Sequence, residues 1–125
     1  MQIDELNLTY EQTEELNRCF ASVPLKGMAV VDAAENMTKL KPHMDAIATF
    51  RGEFIKKHTG GGQVIDSSHE NWSAYLADVI EAMKRTVTVK GLTKIKRSQL
   101  DISEGKSPGV IQGFISVLIN HGLLE

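Results

Sequence analysis

Apolar residues from Val30 to Phe54 recur with the spacing of a heptad seam, and this pattern constrains the fold more than any other feature. Val30, Ala33, Met37, Leu40, Met44 and Ile47 stand alternately three and four apart. Phe54 follows seven later, with only Arg51 interrupting. Such a stripe belongs to a helix packed lengthwise on another helix. Pro42 lies off the seam, at the outer position of the register, where its missing N–H removes one hydrogen bond. The spacing predicts a helix over about 27–58, either bent or divided into two pieces near Pro42.

The partner of that seam is expected downstream. Trp72, Leu76, Val79 and Met83 repeat a 4,3,4 spacing, and Tyr75 and Ile80 widen it. Ser67 and Glu70 form a capping-box pattern, so this helix is expected over about 68–85. Between the two helices lies "GGGQVIDS". A phosphate-binding loop would follow a strand and end in Gly-Lys-Ser/Thr. Here a helical pattern precedes the glycines, with Lys56, Lys57 and His58 at its negative end and Gly60 as its stop. The glycines therefore read as the turn of a helical hairpin.

Shorter elements flank the hairpin. Thr9 and Gln12 form another capping box, opening a helix over about 9–20 that "SVPLKG" ends. In "TVTVKGLTKIKR" β-branched residues alternate around Lys90-Gly91, which predicts a short β-hairpin or strand pair over about 86–97. "IDELNL" offers a third strand through Leu6 and Leu8. After the loop "DISEGKS", Ser107-Pro108 opens a last helix, about 108–121, that is apolar nearly all round. The expected fold class is mainly α. It is an antiparallel helical hairpin with flanking helices and a small β-hairpin or strand element, in one domain over 1–125.

A chain of 125 residues with 42% apolar and 24% charged residues supports one modest core. Its net charge of −2 creates no global field toward nucleic acid or membrane. The charge is uneven, however. Residues 1–16 carry Asp4, Glu5, Glu11, Glu14 and Glu15 without a base, and residues 84–97 carry six bases without an acid. The two segments are expected to complement each other, within the fold or across an assembly. Lys90, Lys94, Lys96 and Arg97 are also the candidate contacts to a partner or anion. The single cysteine gives neither a disulfide nor a metal pattern. No apolar run is long enough to span a bilayer, and the acidic start lacks the features of a signal peptide. A soluble intracellular protein is expected.

No catalytic residues, cofactor or metal are expected. His58 and His69 flank the glycine turn without a third ligand. Asp78 and Glu81 share a helix face, where carboxylates most often serve solvation. Cys19 reads as an apolar packing residue. The C-terminal segment "SQLDISEGKSPGVIQGFISVLINHGLLE" has the order of a winged helix-turn-helix end. Its would-be recognition helix carries no Lys or Arg, which disfavours groove binding. That helix instead suggests self-association, with Val110, Phe114, Val117 and Leu118 as the candidate oligomer interface.

The order of elements resembles a family of small uncharacterised proteins of tailed phages, over about residues 5–105. A short helix leads to a long one like "AVVDAAENMTKLKPHMDAIATFRGEFIKKH". A glycine-rich turn, a helix like "SHENWSAYLADVIEAM", a strand like "VTV" and an "IKRSQLD" segment follow. The arrangement is also similar to prefoldin-like hairpins. The resemblance implies a non-enzymatic protein-binding role, as a virion or assembly component or as an inhibitor of a host defence factor. It places the chain in the host cytoplasm or the virion, with a protein partner, while a homo-oligomeric state is expected from the thin hairpin and the apolar last helix. The alternatives are a nucleic-acid-binding regulator and a sponge for a small anionic ligand.

Overall fold

The computed structural model describes residues 2–101 and 108–125, with only the backbone of Pro108 and Val110. The loop read at "DISEGKS" and the Ser107 cap lie outside the described residues. The chain runs through strand β1 (Glu5–Thr9), helices α1 (Tyr10–Ser22), α2 (Ala29–Thr59) and α3 (Trp72–Met83), strand β2 (Thr86–Lys90), a 3-10 turn (Arg97–Gln99) and helix α4 (Pro108–Asn120). The fold is mainly α with a small antiparallel β element, as the sequence predicts.

Local chemistry sets most of the boundaries. Thr9 Oγ1 accepts the Gln12 N–H at 3.1 Å, and Gln12 Oε1 accepts the Thr9 N–H at 2.9 Å, closing the capping box that starts α1. Helix α2 is one uninterrupted helix of 31 residues. Pro42 sits exposed within it, and the carbonyl it leaves without a donor belongs to Thr38, also exposed, where water can bond it. Gly60 ends α2 in the left-handed conformation, φ 69°, a value that penalises a side chain. Gly62 is less replaceable than a simple spacer, since a Cβ there would lie 2.7 Å from Thr59 Oγ1. That hydroxyl accepts the Gly62 N–H at 2.8 Å.

Four sequence expectations change. The 67–70 capping box is not formed. Asp66 instead accepts bonds from both the backbone N–H and the hydroxyl of Ser68, which holds 66–71 in turns and delays α3 to Trp72. Strand β2 does not fold back on 92–97. It pairs antiparallel with β1, Leu6 opposite Val89 and Leu8 opposite Val87. Beyond Gly91 the described residues make isolated bridges, Thr93 with Gln2, Ile95 with Leu124 and Leu100 with Leu25. The seam of α2 begins at Ala29 rather than Val30, which is 54% exposed. On α3, Tyr75 replaces Leu76 as the buried residue of its turn.

Helix α2 serves two core clusters. Its first half packs with α1, the strands and α4 around Leu8, Leu16, Phe20, Leu40, Ile95 and Leu118. Its second half packs Ile47 against Tyr75, Val79 and Met83 of α3. Tyr10 joins that second cluster, its ring 5.4 Å from Phe50 in an edge-to-face contact.

Candidate interaction surface

The hairpin of α2 and α3 is tied at its far end by polar contacts. Lys57 Nζ lies 3.0 Å and His58 Nε2 2.7 Å from the same oxygen of Asp78. Asn71 Nδ2 donates to the His58 carbonyl at 2.8 Å. His58 and His69 are not brought together as ligands: His58 turns to Asp78, and His69 Nδ1 accepts the Asn71 N–H. Among the described residues no cluster of three or more metal-ligating side chains occurs. Asp78 is thus a tie between helices rather than a solvated carboxylate.

This tie is expected to respond to pH. Hydrogen bonds from His58 and then Lys57 hold the Asp78 carboxyl below the usual aspartate range. A depressed carboxyl stabilises the fold above its unfolded value, and that contribution is lost as pH falls through the folded value. Acidification below about pH 4 should loosen the hairpin end, read by the fluorescence of Trp72 at the start of α3. Asp78→Asn should remove this step; an identical acid transition in the variant would assign it to other carboxylates.

Helix α3 has an outer side exposed among the described residues, as does the start of α2 at Val30 and Val31. Ser73, Ala74, Leu76, Ala77 and Ile80 are all exposed, Ile80 to 54%. None is charged. Clefts flank the helix on both sides. One of about 330 Å³ sets Tyr10, Phe50 and Phe54 against Glu81 and Arg85. The other, about 320 Å³, sets Glu11, Glu14 and Arg51 against Val79 and Ile80. Arg51, the polar break in the seam, pairs with Glu14 at 2.9 Å and ties α2 to α1.

Helix α4 does not present the expected oligomer interface as one surface. Leu118 is fully buried in the core of its own chain and has no area to give a partner. Phe114 and Val117 are half-buried against that core and line a groove of about 270 Å³ beside α1. The Val110 side chain lies outside the described residues. Cys19 forms the floor of this groove. Burial, then the neighbouring Glu15, pushes its thiol up to about 12, and Sγ donates to the Phe114 carbonyl at 3.6 Å. That is a packing residue and not an activated nucleophile.

The basic segment is drawn out rather than gathered. Lys90 ends β2 opposite Glu5 of β1, Lys94 is half-buried in the crossing chain, and Lys96 and Arg97, which cap and open the 3-10 turn, are exposed. Glu5 opposite Lys90 gives acidic–basic complementarity at one register position. None of the four bases forms an ion pair with an acid of residues 1–16 among the described residues.

The sequence reading missed Asn36, a polar residue fully buried in α2. Its Nδ2 donates to the Thr93 carbonyl at 2.9 Å, and its Oδ1 accepts the Thr93 N–H at 2.8 Å. Lys39, one turn on, donates to the Gly91 carbonyl. Together they fix the chain crossing after β2. The only available signal was an Asn on the inner side of a helix, one position before the seam residue Met37. No helix among the described residues is long and apolar enough to cross a membrane. No protein-family model matches this chain, and neither a curated protein nor a solved structure matches it.

Proposed function

We propose that this chain is a non-enzymatic protein-binding protein of tailed-phage type, acting as a virion or assembly component or as an inhibitor of a host defence factor. The observation that carries the reading is the outer face of α3. Leu76 and Ile80 stand one turn apart, exposed, on a hairpin tied at its far end. A helix apolar on more than one side is normally covered, and an exposed apolar patch marks a contact surface. The phage context is supported by the succession of long helix, glycine turn, helix and strand. A homo-oligomeric state belongs to the same reading.

The test is cross-linking in phage-infected cells followed by identification of the captured protein. Wild type should capture a virion or host protein, and Ile80→Lys should lose it. Capture unchanged by Ile80→Lys would remove α3 as the binding surface. The exposed bases favour one second reading, a nucleic-acid-binding regulator. The expected result is no binding to mixed-sequence DNA or RNA near 0.15 M salt, because no aromatic residue lies among the bases to stack on nucleobases. Affinity tighter than about 1 μM, abolished by Lys94→Glu with Lys96→Glu, would replace the protein-binding reading.

A further inference from the structure

The outer face of α3 has a symmetry that names a partner. About Ala77, every residue three, four or seven positions away is exposed. These are Ser73, Ala74, Ile80 and Glu81 on the helix, Glu70 before it and Lys84 after it. Within the helix those positions share one side; Glu70 lies in the turn just before it and Lys84 at its C-cap. Three features of this set are self-complementary.

First, Ala77 carries only a methyl group, so two helix axes can approach closely there. Second, in an antiparallel pair centred on Ala77, Ile80 of one copy falls beside Ala74 of the other, a large residue beside a small one. Ser73 falls beside Glu81, a hydroxyl donor beside a carboxylate. Third, the charges at the two ends are opposite. Glu70 precedes the helix and Lys84 follows it, so antiparallel pairing sets each Glu70 beside a Lys84. Parallel pairing would set like beside like. Neither Glu70 nor Lys84 forms an ion pair within its own chain among the described residues.

We propose that a second copy of this chain docks antiparallel on the outer face of α3, with Ala77 at the two-fold axis and Glu70 of each copy facing Lys84 of the other. The inference rests on the reading of α3 as a protein-binding face and identifies its occupant. The interface is isologous, one patch meeting itself, as in most two-fold dimers. Helix α3 is only about 18 Å long, so the contact lies at the small end of specific interfaces and the dimer is weak. The charges set its register and orientation.

The experiment is sedimentation equilibrium of the full chain from about 1 to 300 μM, a span that brackets the affinity of a weak contact. Wild type should associate as a dimer. Glu70→Lys and Lys84→Glu should each weaken association by at least about tenfold, because like charges then face each other twice. The double variant should restore it. An equimolar mixture of the two single variants should form a mixed dimer stronger than either alone. Both positions are exposed, and unchanged circular dichroism checks that the variants fold. A monomer at every concentration, or a double variant weaker than both singles, overturns the proposal. Monomeric wild type whose cross-linked partner is still lost with Ile80→Lys would also overturn it, while leaving the protein-binding reading intact.

Discussion

Leu40→Ala should destabilise the chain by about 3–5 kcal/mol, the upper part of the range for a buried leucine. Leu40 has no solvent exposure and lies in the first half of α2, in the larger cluster with Leu16, Phe20, Val89 and Leu118. Removing its side chain takes away the transfer free energy and leaves a cavity. Helices α1 and α2 and the strands meet there and are each held elsewhere, so the site cannot easily collapse. The thermal midpoint should fall by roughly 10–20 °C. Ile119→Ala on α4 is the control, since Ile119 is 47% exposed and should shift stability by no more than about 0.5 kcal/mol. Equal unfolding curves for Leu40→Ala and wild type would mean that the two-cluster core does not carry the fold.

Asn36→Ala should cost about 2–4 kcal/mol, although it removes no large apolar group. The side chain satisfies both the N–H and the C=O of Thr93. Without it both lose their partner at a part-buried site. The change should be local as well as global. The next bond along the crossing is Ile95 N–H to the Leu123 carbonyl at 2.7 Å, which anchors the end of the chain. Amide exchange at Thr93 and Ile95 should therefore accelerate more than exchange in α2. Thr93→Ala leaves both backbone bonds in place and should be mild by comparison. If Thr93→Ala proved as damaging as Asn36→Ala, the amide would not be the pin described here.

The long helix, the hairpin and the mainly α class were legible because they depend on spacing along one segment. The Thr9–Gln12 capping box and the Gly60 stop are bonds between residues three or four apart, so the sequence contains both partners. The same local logic failed at Ser67 and Glu70, where Asp66 offered Ser68 a competing turn. It also failed on the candidate interface. Leu118 and Val117 are adjacent apolar residues of one helix, and only the packing of α4 on α1 makes the first core and the second a groove wall.

By itself the sequence determined which segments become helices and where most of them begin and stop, because those choices are settled by hydrogen bonds of short reach. Tertiary structure decided which strand pairs with which. A strand at Thr86–Lys90 has to satisfy its backbone groups, and periodicity does not say where the partner lies. It bonds to Glu5–Thr9, at the opposite end of the chain, because pairing there buries Leu8 and Val89 in the α1–α2 core. The same packing gave Asn36 its partner and left the outer side of α3 open. Burial is a property of the assembled elements, and no single segment encodes it.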